Sequence, residues 1–440
     1  MDKRLAELAE LTVDHALKQG AREVAVGVSR ARFVDLKRRE GKTEKLQAST
    51  SRGLSVALYV DGRFSSNATS LLEPDALRDF VDQTLAMTRK LAPDPYRYLP
   101  DPGLYGPTTG VELDLVDPGY DALDMDERQR RVVAAEDAAR REGGEPVISV
   151  TAEMVTQSSE SLQIHSNGFR GEHAATSFMV GTTVTVQDAD DRRPEDRHWT
   201  VARHLTDLPP AAGVGREAAR RALSRMGSRK VQSGEMTMVV ENRAGSRLLG
   251  ALLEPLSAAS LQQQRSCFEG KLGEQVASEL LTVVDDPLLP RGLGSRLYDG
   301  EGLAARRMPV VERGRLRTYF IDVYYGRKLE MAPTTGGASN LVIELGDDDA
   351  DGLVARAGQG ILVTGFLGGN SNPATGDFSF GVRGFVINDG RVGHAVGEMN
   401  ITASLTSLWK GLVAVGNDPY PYGSVRMPTL VFEGVQFSGV

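Results

Sequence analysis

The sequence predicts an α+β fold, and three features carry that prediction. Long stretches of the first half alternate apolar and polar residues in strand fashion. Amphipathic stretches of helical period bracket them. The second half breaks into short apolar runs separated by Gly, Asn and Asp. The N-terminal half therefore reads as strand-rich meanders, each closed by helices. The C-terminal half reads as a glycine-rich curved β-sheet or barrel-like domain.

The elements follow in order. Leu5, Leu8, Ala9, Val13, Ala16 and Leu17 recur at helical spacing, and Gly20 suits a C-terminal cap. "REVAVGVSRA" and "RFVDLKRREGKTEKLQASTSRGLSVALYVDGRFSSNAT" then alternate as strands with Gly-containing turns. In "EPDALRDFVDQTLAMTRKLA", Leu77, Phe80, Val81 and Leu85 line one helical face, and Pro74 starts it. Five prolines between Pro93 and Pro107 predict an extended, surface-hugging connection over 93–118. "MDERQRRVVAAEDAARRE" is a third helix. The segment from Val147 then reads as strands turning at Ser166-Asn167-Gly168, and ends in the helix "GVGREAARRALSRM". The two strand-rich blocks share little residue identity but the same pattern. An internal repeat over about 1–92 and 145–228 is thus expected within an N-terminal domain, 1–228.

The C-terminal domain is expected at 229–440. "RMPVVERGRLRTYFID" predicts a hairpin with Arg313-Gly314 near its tip, and "IDVYYGRKLEM" a short helix or turn. "SNLVIELG", "GILVTGFLG", "FSFGVRGFVINDGRVGHAV" and "PTLVFEGVQFSGV" are short strands. Many of the 48 glycines fall here, where bulges and close backbone approaches are expected.

Composition narrows the function. A net charge of -8, from 59 acidic and 51 basic residues, gives no footprint for nucleic acid, which wants a basic face. The single cysteine, Cys267, rules out an intramolecular disulfide and a Cys-rich zinc site, and fits a reducing cytoplasm. The charged start "MDKRLAELAE" does not read as a signal peptide. No apolar run approaches the ~20 residues of a membrane span.

Familiar catalytic patterns are missing. There is no G-x-S-x-G elbow and no G-x-x-x-x-G-K-[ST] phosphate loop. Four of the six histidines (His165, His173, His198, His204) fall at irregular spacing in a segment that reads as mobile polar hairpins, a poor pattern for zinc. Cys267 reads as a buried, inert thiol. After the strand-like "MTMVVENR", the segment "LLGALLEPLSAASLQQQ" predicts a small-residue helix with one ionisable side chain, Glu254.

Two polar, glycine-rich loops are the candidates for a substrate cleft. They are "APTTGGASN" and "GGNSNPATGDFSFG", with Thr335, Gly336, Gly337, Asn340, Asn370 and Asp377 as candidate contacts. Such loops offer backbone groups and Asn and Thr side chains to an extended peptide. Turn chemistry alone explains the same composition, and the sequence does not separate the two.

Several blocks resemble the TldD/PmbA family, historically called modulators of DNA gyrase. They are "SRGLSVALYVDGRFSSNATSLLEPDALRDFVDQTLAMT", "KLGEQVASELLTVVDDP", "RLRTYFIDVYYGRKLEM", "TTGGASNLVIELG", "NPATGDFSFGVRGFVINDGRVGHAV" and the closing "PTLVFEGVQFSGV". The resemblance implies a two-subunit, zinc-dependent peptidase. Its catalytic TldD-type subunit carries H-E-x-x-x-H on the helix after the strand, with a cysteine near the C-terminus. The TldE/PmbA-type subunit lacks this set. Here "LLGALLEPLSAASLQQQ" stands where the metal helix should lie, and "VGNDPYPYGSVRMPTLVFEGV" has no cysteine.

The resemblance thus implies no catalytic and no metal-binding residue and no cofactor in this chain, with zinc in a TldD-like partner. It implies a cytoplasmic heterodimer acting on unfolded or small modified peptides, away from nucleic acid and membranes. The alternatives are a stand-alone or homodimeric peptide-binding protein, or a metal-independent biosynthetic relative.

Overall fold

The computed structural model describes residues 2–106 and 110–439. In the first half the order helix, three strands, helix occurs twice. The first pass is α1 (Lys3–Lys18), β1 (Glu23–Arg39), β2 (Lys42–Val60), β3 (Arg63–Thr69) and α2 (Pro74–Thr88). The second is α3 (Met125–Gly143), β4 (Val147–His165), β5 (Arg170–Val186), β6 (Glu195–Ala202) and α4 (Ala211–Ser224). The strands join one antiparallel sheet in the order β3-β2-β1-β4-β5-β6, and the two passes meet where β1 pairs with β4.

Strand alternation divides this sheet into two unlike faces. Val24, Val26, Val28 and Leu36 of β1 are at most 1% exposed and lie on one face. The first three pack with α1 and α2, and Leu36 packs with α3. Met154 of β4 and Phe178 and Val180 of β5 continue that layer, so the four helices share one side of the sheet. The other face carries Ala25, Gly27 and Ser29 of β1, paired with Ala57, Ser55 and Gly53 of β2. Among the described residues no helix packs on this stretch, and its side chains here are small.

The second half continues with β7 (Gly234–Val240), α5 (Ser246–Leu253), α6 (Ala258–Gln262), β8 (Val283–Asp285), β9 (Met308–Glu312) and β10 (Arg315–Leu316). Then come α7 (Val323–Leu329), β11 (Leu341–Ile343), α8 (Ala350–Ala357), β12 (Gly360–Ser371), β13 (Asp377–Asn388) and β14 (Arg391–Ser404). It ends with α9 (Leu405–Lys410), β15 (Leu412–Val415), β16 (Val425–Arg426) and β17 (Leu430–Ser438). The larger sheet runs β14-β13-β12-β7-β17-β15, and β14 also pairs with the end of β17. Five strands thereby close into a barrel, the curved architecture the glycine-rich sequence predicts. A smaller sheet runs β10-β9-β8-β11-β16. The barrel, α5 and the small sheet share one core around Phe268, Phe380, Trp409 and Phe432. The hairpin at Arg313-Gly314 forms as expected, with φ of 46° and 73°, the pair of positive values a tight hairpin turn needs.

One expectation is refined and two change. The proline-rich connection is exposed over most of its described length, but a few of its residues turn inward. Leu99, Leu113 and Leu115 are buried, the last two against Ala175 on the open face of the sheet. Arg327 of α7 fixes the connection by donating to the carbonyls of Tyr96, Tyr98 and Leu99. Prolines cannot pair as strands, but they suit a strap laid along a surface. Of its prolines, Pro107 lies outside the described residues. The histidine-bearing segment is not a set of loose hairpins, since His165, His173 and His198 sit in β4, β5 and β6. The helix expected over 248–264 breaks in the middle. Pro255 lacks an N–H and cannot continue α5, and Ser257 caps a new start by accepting from the Ser260 N–H.

Candidate functional site

The small-residue face of the N-terminal sheet is the floor of a cleft of about 770 Å³. Its roof is the segment 293–301 of the C-terminal half, and Tyr98–Pro100 of the strap close one side. The absence of side chains makes this space. A β-carbon on Gly27 would already stand 2.9 Å from Ser55 Oγ.

Glu301 occupies one end. Its Oε2 accepts from the Val323 N–H at 2.8 Å, and no described residue donates to Oε1. Burial, with Asp322 and Asp299 nearby, pushes its carboxyl up to about 7 despite Arg327. Beside it His165 is 3% exposed, and burial lowers its imidazole to about 4, so it is neutral near pH 7. The Gln163 amide donates to His165 Nε2 (2.8 Å) and to the Gly300 carbonyl (2.9 Å). That arrangement leaves the ring proton on Nδ1, facing Tyr105 Oη at 3.0 Å, and Tyr105 donates on to Asn167. These bonds tie the roof to the floor.

Arg203 occupies the other end. Its guanidinium donates to the carbonyls of Gly292, Thr176 and Leu293, and no carboxylate pairs with it among the described residues. His173 stands beside it, its pKa lowered by burial and by Arg203. The cleft thus has a carboxylate at one end and a guanidinium at the other, with small residues and serines between.

The six sequence-derived candidates fall in two places. Four stand behind the roof. Thr335 Oγ1 and the Gly336 N–H donate to Asp299, at 3.2 and 3.3 Å. The Gly337 carbonyl accepts from Arg296. Asn340 is 1% exposed; it accepts from the Gly294 N–H (2.8 Å) and donates to Ser295 Oγ (2.9 Å) and the Asp286 carbonyl (2.8 Å). These residues shape the cleft without lining it. Asn370 and Asp377 line a separate pocket of about 560 Å³ where β12 and β13 pair at their ends. Ser371 there donates to Glu254 at 3.1 Å, and Arg247 of α5 donates to the Gly369 carbonyl at 3.4 Å. This second loop adjoins α5, the segment that stands where the resemblance puts the family's metal helix.

Sequence reasoning missed Arg203, Glu301 and His165 as site residues. A signal for the floor was present. "EVAVGVS" alternates valine with Ala, Gly and Ser, which marks one face for packing and the other for space. Nothing local in the sequence marks the roof.

Helix α5 does not suit a metal. Leu248, Leu249, Ala251 and Leu252 enter the apolar core, and Glu254 is the segment's one ionisable side chain after Arg247. A tetrahedral zinc site draws three or four donors from His, Cys, Asp or Glu. Among the described residues no group of three such side chains could hold a metal ion. Nor is any described helix long and apolar enough to cross a membrane.

Comparison with known proteins agrees with this architecture. Three family models match in order: PmbA/TldA metallopeptidase domain 1 at 24–88, the central domain at 119–226 and the C-terminal domain at 233–439. The chain belongs to the PmbA/TldD metallopeptidase family. It is 26% identical to the metalloprotease PmbA of Escherichia coli O157:H7, over 94% of this chain and 92% of that one. It is 25% identical to a PmbA homolog of Haemophilus influenzae, over 100% and 97%. A putative modulator of DNA gyrase from Bacteroides thetaiotaomicron superposes with a TM-score of 0.97 at 39% identity, over all of both chains. TldE of Thermococcus kodakarensis shares the fold, with a TM-score of 0.86 at 20% identity, over 98% of this chain and 100% of that one.

Proposed function

We propose that this chain is the non-catalytic, TldE/PmbA-type subunit of a cytoplasmic, heterodimeric, zinc-dependent peptidase that acts on unfolded or small modified peptides. One observation carries the reading. The α5 segment, where the resemblance puts the metal helix, turns leucines into the core and offers Glu254 alone. A carboxylate with no metal beside it has no water to activate. The catalytic zinc then belongs to a TldD-like partner, and this chain helps close the chamber. Asn370 and Asp377, beside α5, are the residues we assign to substrate contact. Thr335, Gly336, Gly337 and Asn340 act on substrate only through the roof they hold. The domains we assign are 1–228, with its internal repeat, and 229–440.

Co-purification from the native cell tests this, with peptide hydrolysis assayed on the isolated chain and on whatever accompanies it. The expected result is a partner carrying H-E-x-x-x-H, and activity only in the complex. Hydrolysis by the isolated chain, or no partner at all, overturns the proposal. The second reading, a stand-alone or homodimeric peptide-binding protein, draws on the cleft, which this chain forms by itself.

A further inference from the structure

The cleft places opposite charges at its two ends, and among the described residues neither forms an ion pair within the chain. Glu301 has one backbone donor and an oxygen with no protein donor among the described residues. Arg203 has three carbonyl acceptors, which leaves N–H groups and a full positive charge without an anion. A half-buried guanidinium or carboxylate without an ion pair is a place where a ligand's opposite charge is favoured.

The register of the floor gives the separation. Glu301 lies at the end where Ala25 pairs with His165, and Gln163 holds the neighbouring Gly300. Arg203 lies beside His173, which pairs with Ser161, itself paired with Ser29. From Ala25 to Ser29 is four residues along β1, about 13 Å at a strand's rise, and Glu301 acts on Tyr59 of β2 while Arg203 stands over β5, so 13 Å is the lower bound of their separation. An extended peptide covers about 3.3–3.6 Å per residue, so about four residues or more are needed to span it. The floor meets such a ligand with Gly27, Gly53, Ala57 and the hydroxyls of Ser29, Ser55 and Ser161. A floor of this kind has no pocket for a large side chain and no preference for a particular small one.

We propose that this cleft binds a short peptide of about four residues or more with both termini free, its ammonium on Glu301 and its terminal carboxylate on Arg203. The raised pKa of Glu301 agrees, since a neighbouring ammonium would return the carboxyl toward its ordinary range. A simple anion would satisfy Arg203 and leave Glu301 alone; a peptide blocked at either end would leave one charge unmet. The site needs no partner subunit, so its test is separate from the peptidase assay.

Calorimetry on the full chain decides it, with tetra-, penta- and hexa-alanine as probes. N-acetylated and C-amidated versions of the same peptides, and inorganic phosphate, are the controls. Unblocked peptide should bind, and either block should weaken binding about tenfold or more, the loss of one charge-assisted contact. Glu301→Gln should erase the discrimination against N-acetylation, and Arg203→Gln the discrimination against C-amidation. Arg203 also holds three carbonyls, so its variant risks the fold. Ser29→Trp fills the floor without touching any roof contact, and should abolish binding while leaving thermal unfolding unchanged. Equal binding of blocked and unblocked peptides, no binding of either, phosphate binding as tight as peptide, or full binding by Ser29→Trp would each overturn the proposal.

Discussion

Two carboxylates, one buried and one half-buried, sit where the N-terminal sheet meets the C-terminal half, and their surroundings are opposite. Asp196 of β6 is 3% exposed and meets Arg225 of α4 at 2.6 Å, Arg383 of β13 at 3.4 Å and Arg221 at 3.9 Å. Burial pushes its carboxyl up, but Arg225, Arg383 and Arg221 outweigh that and hold it below the usual range. Glu301, at the cleft, has two carboxylates for neighbours and stands near 7. A structural carboxylate is satisfied within the chain; a binding one is left waiting. The first joins the halves of the molecule, and the second lies in the space between them.

The largest effect should come from the satisfied member. Asp196→Ala leaves three guanidinium groups facing one another in the interior, and should cost about 3–5 kcal/mol in urea unfolding. An effect near zero would show that the cluster does not join the halves. Its acid limb follows from the lowered pKa. The stabilisation is present above the unfolded carboxyl's ordinary value near 3.8 and is lost as pH falls through the lower folded one.

The roof comes next. Asn340→Ala strands the Gly294 N–H and should cost about 1–3 kcal/mol. It should also weaken any cleft ligand while leaving Asn370 and Asp377 in place. Unchanged stability would mean that the roof is held elsewhere.

Glu301→Gln should have a smaller effect of opposite sign. A carboxyl raised from 4.5 to about 7 by folding gives stability that is full below pH 4.5 and is lost as pH rises through 7. The Gln variant, neutral throughout, should be about 1–2 kcal/mol more stable than wild type at pH 8 and equal to it at pH 4. A variant less stable at pH 8 would mean that a cation of this chain serves Glu301. Glu254→Ala should do least. It is exposed, and removing it should change stability by less than about 0.5 kcal/mol and leave the complex's hydrolysis rate within a few-fold. A loss of ~100-fold or more would restore it as a general base.

The contrast also explains what the sequence disclosed. Helices and hairpins were legible because their signals are local: the spacing of Leu77, Val81 and Leu85, or the Gly at Arg313-Gly314. Closure of the barrel was foreseeable as curvature, but β14 meets β17 across some thirty residues of chain, and no local pattern announces that pairing. The inward turn of Leu99, Leu113 and Leu115 was not foreseen, because proline content tells where strands stop, not which side chains of the strap find a layer to pack on. For the site, glycine- and asparagine-rich loops drew attention because their composition is unusual. In Asn340 that composition serves the fold. Arg203 and Glu301, separated by almost a hundred residues, look ordinary in sequence and acquire meaning only when the sheet and the roof face each other.

The central claim is that this member of a metallopeptidase family has no metal centre of its own. Metal analysis of the purified chain after dialysis against zinc tests it most directly. The account predicts no stoichiometric zinc in the chain alone, and zinc only in a complex with a TldD-like partner. About one tightly held zinc per isolated chain, lost on substitution of His165, His173, His198 or His204, would contradict it and place the metal in the N-terminal sheet.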